Sequence, residues 1–148
     1  MTPVVPVFTL PVRFARCRRA ASAVEFALVM PLFLALVFGI VVFGSYLAAV
    51  HGVQQLAAEA ARSSVAGLSD GERQTLATQY VAANAGAYPL IAPEHLAVSA
   101  ATSGSAERVF VVTVDYDASN MFIFALPQFV PSPPQRIVRQ AAIPFGGY

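Results

Sequence analysis

Residues 26–50 read FALVMPLFLALVFGIVVFGSYLAAV, and this stretch decides how the chain is organised. It holds no acidic or basic residue, and Ser45 and Tyr46 carry its only polar side-chain groups. As a helix it would extend about 37 Å at roughly 1.5 Å per residue, against a hydrocarbon core of about 30 Å. A buried helix of a soluble protein seldom runs so far without charge. The stretch therefore predicts one transmembrane helix with some tilt.

Basic residues are concentrated on one side of this stretch. Four arginines precede it, with no acidic residue among them: Arg13, Arg16, Arg18 and Arg19. From residue 51 onward there are five arginines and seven acidic residues. The positive-inside rule then predicts a cytoplasmic N-terminus and a head on the outer face, in the periplasm of a two-membrane bacterium. A cleaved secretory signal is disfavoured, because the apolar run is about twice as long as a normal h-region.

The composition supports a membrane protein and limits its partners. Hydrophobic residues make up 57% and charged residues 11% of the 148 residues, compared with about 45–50% and about 25% in soluble domains. The net charge is +1, so we expect no nucleic-acid partner. Cys17 is the only cysteine, which excludes an intramolecular disulfide and predicts a reduced cytoplasmic thiol.

Residues that would carry catalysis or bind a metal are sparse. His51 and His95 have no further histidine, cysteine or acid at metal-ligand spacing. Asp115 and Asp117 share one face of a predicted strand, but Ca²⁺ needs about six to eight oxygen ligands. The chain has no glycine-rich phosphate loop and no nucleophile-elbow pattern. We therefore predict no enzyme activity, cofactor, metal site or small-molecule substrate.

Glu25 lies where the apolar stretch begins. A carboxylate near the bilayer interior is costly and is a functional candidate by default. The alternative is an interfacial glutamate near a helix N-terminus, where the helix dipole favours negative charge. Physical chemistry alone leaves both readings open.

The sequence around Glu25 resembles a known type of processing signal. Residues 18–32 read RRAASAVEFALVMPL, which is similar to the class III signal sequences of type IV pilins and pseudopilins. The closest resemblance is to the TadE-like minor pilins of tight-adherence (Flp-type) pili, in the motif Ala-Val-Glu-Phe-Ala at 23–27 and in Pro31. Ala20 stands where glycine is usual in these leaders.

This resemblance implies how the chain is processed and assembled. A prepilin peptidase would cut between Ala20 and Ala21, which makes Glu25 the fifth residue of the mature chain. Glu25 would then pair with the new α-amine of another subunit, and Phe26 and Pro31 would belong to the same assembly region. The four leader arginines would hold the leader in the cytoplasm. The implied units are a leader at 1–20, a transmembrane helix at 21–50 and a periplasmic head at 51–148.

The head is predicted to be α+β. The transmembrane helix continues to about Ala66, with Val53, Leu56, Ala57, Ala60 and Ser64 on one face and Gly67 as its stop. Its segment 54–62 resembles the post-membrane segment of TadE-like proteins and includes a solvated Glu59–Arg62 pair. A second helix at 72–85 is capped by Ser69 or Asp70 and turns Leu76, Tyr80 and Val81 inward. Three antiparallel strands follow at 95–101, 107–116 and 135–143.

The apolar segment 121–129 is too short to cross a membrane as a helix. It is either part of the head core or an exposed patch that contacts a partner or the outer leaflet.

The resemblance to TadE-like proteins implies a minor pilin or pseudopilin that contributes to pilus assembly, adhesion and biofilm formation. Its expected partners are the inner membrane, the prepilin peptidase and other pilins of the same system. It would lie in the bacterial inner membrane as a single-pass protein and enter the pilus. The alternatives are an uncleaved membrane scaffold of a secretion or envelope complex, and a membrane-tethered enzyme or binding module that acts through its head.

Overall fold

One long helix runs through most of the N-terminal half of the chain. The structure is a computed structural model that describes residues 18–103, 109–126 and 131–144, with side chains from Ser22 onward. Helix α1 spans Arg18–Ser64, and its 47 residues extend about 70 Å. Pro31 lies inside it. The predicted transmembrane helix and its continuation beyond the membrane are therefore one element.

Helix α1 ends at Ser64, two residues before the predicted end. The hydroxyl of Ser63 donates to the carbonyl of Ala60 at 2.9 Å, and that of Ser64 donates to the carbonyl of Ala61 at 2.6 Å. Such bonds compete with the helical ladder. The Gly67 N–H then donates to the Ser64 carbonyl at 3.0 Å, which closes a turn. Gly67 is thus part of the turn rather than the residue that stops the helix.

The second helix, α2, spans Asp70–Asn84 and packs against α1. Ser69 is its N-cap, because the Ser69 hydroxyl accepts the Glu72 N–H at 3.2 Å. The predicted helix at 72–85 is confirmed with bounds shifted by one or two residues. Val81 is buried as predicted, together with Ala77, whereas Leu76 and Tyr80 are half-buried.

Three antiparallel strands form one sheet in the order β1-β2-β3. Strand β1 spans Leu96–Ser103, β2 spans Val109–Asp117 and β3 spans Arg136–Pro144. The predicted strands are confirmed, although residues 107 and 108 lie outside the described residues. Strand β1 extends two residues beyond its predicted end, because Thr102 and Ser103 pair with Phe110 and Val109. Their partners lie on a different strand, which local sequence does not reveal.

The core of the head forms between the sheet and the two helices. On β2 the buried residues alternate along the strand and share one face: Phe110, Val112, Val114 and Tyr116. Strands β2 and β3 contact α1, and β1 contacts α2. The predicted buried face of α1 is also confirmed, with Val53, Leu56, Ala57, Ala60 and Ser64 at most 1% exposed.

The segment after β2 is partly core and partly surface. A 3-10 turn at Phe122–Ala125 contacts α1. Met121 and Ile123 are buried, whereas the Phe122 side chain is 50% exposed. Met121 and Ile123 therefore belong to the head core as one alternative predicted, and the exposure of Phe122 leaves the alternative of a contact patch open. Residues 127–130 at its end lie outside the described residues.

Candidate functional site

The N-terminal half of α1 presents an apolar surface that the head does not cover. From Ser22 to Val41 every described side chain is exposed or half-exposed, and the first buried one is Val42. Large exposed apolar residues continue along the helix to Leu47. Within the described part of the chain, α1 is the one helix that is long and apolar enough to cross a membrane. A surface of this kind requires lipid or other helices around it.

Glu25 lies at the N-terminal limit of this apolar surface. Its side chain is exposed, and it is followed directly by Phe26, which is 63% exposed. Residue 21 lies one turn earlier on α1, about 6 Å along the axis. Positions four residues apart share one face of a helix. The carboxylate is therefore available to a group outside this chain and lies close to the predicted cut.

The predicted processing site lies at the start of α1. Ala20 and Ala21 follow Arg18 and Arg19 within the first helical turn, and their side chains fall outside the described set. The leader residues 1–17, including Arg13, Arg16 and Cys17, lie outside the described residues. The structure thus gives the backbone on both sides of the predicted cut.

Pro31 lies within α1 without ending it and is exposed. A proline inside a helix cannot donate to the carbonyl four residues earlier, which here belongs to Ala27. In lipid such a carbonyl needs another partner, and a neighbouring helix can supply one. Pro31 and Glu25 are therefore two positions at which this half of α1 can favour contact with another helix.

The Glu59–Arg62 pair is present as predicted. The Arg62 Nε donates to the Glu59 Oε2 at 3.3 Å, and the Arg62 Nη2 donates to the Glu59 Oε1. Both side chains are largely exposed, so the pair contributes only a few tenths of a kcal/mol. It is a surface pair of the head.

A polar cluster lies at one end of the sheet. Arg136 binds both carboxylate oxygens of Asp115, with its Nε donating to Oδ1 at 2.8 Å, and this bond raises the pKa of Arg136. The Ser119 N–H donates to the Asp117 Oδ1 at 2.9 Å, and Ser119 holds the pKa of Asp117 below its ordinary value. The Asp115 carboxylate is thus paired with the Arg136 guanidinium, and the Asp117 carboxylate stabilises the turn at Ser119.

Other groups at this end also serve structure. His95 Nε2 lies 3.0 Å from the amide nitrogen of Asn120. Across residues 18–103, 109–126 and 131–144 no three histidine, cysteine or acidic side chains are grouped to hold a metal ion. The arrangement provides ion pairing and turn formation at the strand ends.

The sequence did not predict the hydrogen bonds that join the loop after α2 to strand β2. The Tyr116 hydroxyl donates to the Leu90 carbonyl at 3.2 Å and accepts the Ala92 N–H at 3.3 Å. Gly52 of α1 lies beside the same loop, and a Cβ there would be 2.9 Å from the Ile91 Cδ1. The sequence offers no signal for these contacts, because they join residues far apart in the chain.

Comparison with known proteins gives one finding for these elements. Residues 20–62 match the model of the TadE-like protein family. The match begins at Ala20 and covers nearly all of α1, including Glu25 and the Glu59–Arg62 pair, and it ends before α2. The predicted resemblance is confirmed over these residues. No curated protein and no solved structure gives a significant match.

Proposed function

Because residues 20–62 match the model of the TadE-like protein family, we propose that the chain is a minor pilin or pseudopilin of a tight-adherence pilus. In this role it contributes to pilus assembly, adhesion and biofilm formation. The observation that carries the proposal is an exposed carboxylate at the start of an exposed apolar helix, both within the matched residues. The family is structural, so the chain acts as a subunit and as a peptidase substrate rather than as an enzyme.

The first step of this function is removal of the leader. A prepilin peptidase cuts on the cytoplasmic side between Ala20 and Ala21 and leaves the apolar helix intact. The small side chains on both sides of this bond allow close approach by the peptidase. The arginines before the cut favour a cytoplasmic leader. The product is an α-amine one helical turn before Glu25.

The second step is pairing between subunits. In a filament the Glu25 carboxylate of one subunit meets the Ala21 amine of another, which sets the axial register of the helices. Both groups then lie among apolar side chains such as Phe26. Loss of one partner leaves the other charge unpaired in a dry site, at a cost of several kcal/mol. The pair therefore selects one register among many apolar alternatives.

The apolar half of α1 fits both locations in which a pilin resides. In the membrane, lipid covers the exposed side chains between Val24 and Leu47. In a filament, neighbouring α1 helices replace the lipid. Transfer between two apolar surroundings yields little hydrophobic free energy. The specific polar contacts of Glu25 and of the Ala27 carbonyl then decide which helices associate.

The second candidate is an uncleaved single-pass scaffold of a secretion or envelope complex. Ala20 in place of the usual glycine favours this candidate, because it changes the residue just before the cut. It would keep the arginine-rich leader in the mature chain. The two functions thus differ in the mass of the mature protein.

One experiment tests cleavage directly. The full chain is produced together with a Tad-type prepilin peptidase and its inactive variant, and the purified membrane protein is weighed by mass spectrometry. We expect loss of residues 1–20 only with the active peptidase. A mature chain that still begins at Met1 with the active peptidase contradicts the pilin proposal and favours the scaffold.

A pair of matched variants tests the role of Glu25. We expect Glu25→Ala to be inserted and cleaved normally but to be absent from sheared pili. Glu59→Ala removes an exposed acid from the head half of the same helix and should assemble like the unchanged chain. Normal pilus incorporation of Glu25→Ala would show that the carboxylate does not set the register.

A further inference from the structure

The head and the apolar surface of α1 overlap along the helix axis. Large exposed apolar side chains on α1 continue to Leu47, and His51 is the first exposed ionisable residue after them. Val42, however, is only 8% exposed and belongs to the same buried cluster as the head core. Tyr46 also packs against this cluster. The head therefore extends along α1 at least to Val42, which lies five residues, or about 8 Å, closer to the N-terminus than Leu47.

The length of α1 fixes where the membrane surface lies. From Phe26 to Leu47 the helix extends about 33 Å, which matches a hydrocarbon core of about 30 Å. A boundary at Val42 would leave Phe43 and Leu47 in water and shorten the span to about 25 Å. The boundary on the head side therefore lies near Leu47. The part of the head that reaches Val42 lies at the depth of the lipid.

The end of the head nearest the membrane is identified by its contacts with α1. Helix α2 starts beside Gly67, where a Cβ would be 2.7 Å from the Arg73 Cγ. It is followed by a loop beside Gly52, where a Cβ would be 3.1 Å from the Tyr88 Cδ1. Helix α2 thus runs back along α1 toward the membrane. The loop after α2 is the membrane-proximal end of the head.

Apolar side chains gather at this end. Pro89 and Leu90 of the loop line one shallow cavity together with Met121 and Phe122. The turn that contains Phe122 contacts α1, and the Tyr116 hydroxyl holds the Leu90 carbonyl. Pro89 is exposed, Leu90 is half-buried, and Phe122 is 50% exposed. These three residues form what we name the underside patch.

We propose that the underside patch rests in the lipid leaflet on the head side of the membrane. Lipid is the occupant because the patch lies at the membrane-proximal end of the head. Its loop packs beside Gly52, five residues or about 8 Å beyond Leu47, which is within reach of the headgroup layer that borders the apolar surface of α1. The nearby exposed charges are mainly acidic, with Glu94 and Asp117 exposed and Asp115 paired to Arg136. Anionic headgroups would therefore not attract this end, and apolar contact with the acyl region holds it.

This contact fixes the orientation of the head. A head joined to the membrane through α1 alone would rotate and tilt with the helix. Insertion of Phe122 and Pro89 adds a second point of attachment, so the sheet keeps one orientation relative to the bilayer. The inference depends on α1 spanning the membrane and not on the pilus role, so each can fail without the other.

Tryptophan fluorescence can measure the depth of the patch, because the chain has no tryptophan. The full-length Phe122→Trp variant is placed in phosphatidylcholine nanodiscs at one chain per disc, with lipids brominated near the headgroup end of the acyl chains. Leu68→Trp is the matched control at the far end of the head, where Leu68 is 91% exposed. Phe43→Trp within the span is the positive control.

We expect the brominated lipid to remove more than half of the Phe122→Trp emission and little of the Leu68→Trp emission. The Phe122→Trp emission should also lie at shorter wavelength. Quenching no greater than that of Leu68→Trp overturns the proposal. Quenching that requires phosphatidylglycerol also overturns it, because charge would then hold the patch. The measurement is repeated with two chains per disc. If the emission of Phe122→Trp shifts to shorter wavelength only in those discs and is not quenched by the brominated lipid, a second copy covers the patch, and the proposal is overturned.

A second tryptophan variant covers the case in which the Phe122→Trp substitution disrupts the fold of the head. Pro89→Trp tests the same patch from the loop after α2, and thermal unfolding of each variant in detergent shows that the head is intact. We expect Pro89→Trp to be quenched like Phe122→Trp. If both variants are folded and neither is quenched, the patch lies outside the lipid and the proposal is wrong.

Discussion

At the residue scale, Gly67 shows how a close backbone contact can require a residue without a Cβ. A Cβ at this position would lie 2.7 Å from the Arg73 Cγ and 2.8 Å from the Arg73 backbone nitrogen. The backbone atom cannot move freely, because it belongs to the first turn of α2, which Ser69 caps. The sequence indicated a helix stop at Gly67, whereas the structure shows that the close approach of this turn to the first turn of α2 needs a glycine.

We therefore expect Gly67→Ala to destabilise the head by about 1–3 kcal/mol, because the added methyl group overpacks the turn. Gly71→Ala is the control, since nothing lies within 4 Å of a Cβ there. Alanine at that helical position should be neutral or stabilising by up to about 1 kcal/mol. Thermal unfolding of the full chain in detergent, followed by circular dichroism, measures both. Equal unfolding temperatures for the two variants would contradict this account.

At the element scale, small residues on α1 let the helix approach the rest of the head closely. Ala57, Ala60 and Ala61 are all fully buried, and Val53 is too. Strands β2 and β3 and helix α2 all contact α1. A larger side chain at an alanine position would separate these elements, because protein interiors have little free volume. This stretch of α1 thus acts as the central element of the head core.

Ala57→Leu is expected to destabilise the head by about 1–3 kcal/mol through overpacking. The matched control is Ala48→Leu, which makes the same change at an exposed position on the same helix. Chemical unfolding in a mild detergent would report the difference. If Ala48→Leu lowered stability as much as Ala57→Leu, helix propensity or detergent effects would be responsible rather than packing.

At the scale of the whole molecule, α1 divides the chain into two parts with different surroundings. Its N-terminal half has exposed apolar side chains, and its C-terminal half is covered by α2 and the sheet. The match to the TadE-like family and the apolar helix together support a membrane-anchored pilin-like protein. The arginine bias before the span then predicts the direction in which the chain crosses.

Reporter fusions test this direction. Alkaline phosphatase joined after residue 69 should be active, because it folds with its disulfides only outside the cytoplasm. A green fluorescent protein joined at the same place should be dark, and one joined at the N-terminus should be bright. The reverse pattern at residue 69 would show that the head lies in the cytoplasm and that the charge bias does not control insertion.

Much of the architecture follows from local pattern. The absence of charge in 26–50 predicts a membrane span, and alternation along β2 predicts which of its side chains share a face. The Ser69 cap lies where a serine precedes an acidic first turn. Each of these depends on neighbours a few residues away, so the sequence suffices.

The sequence by itself thus determined the long apolar helix, the order of helices and strands, the two alternating faces of β2 and the position of Glu25 beside the apolar run. Only the tertiary structure decided that Val42 is covered, that Phe122 is exposed beside a buried Ile123, and that Tyr116 holds the loop after α2. The physical reason is the distance along the chain over which each effect acts. Helical and strand periodicity act over a few residues, whereas burial and close approach depend on side chains that the fold brings together from distant parts of the chain.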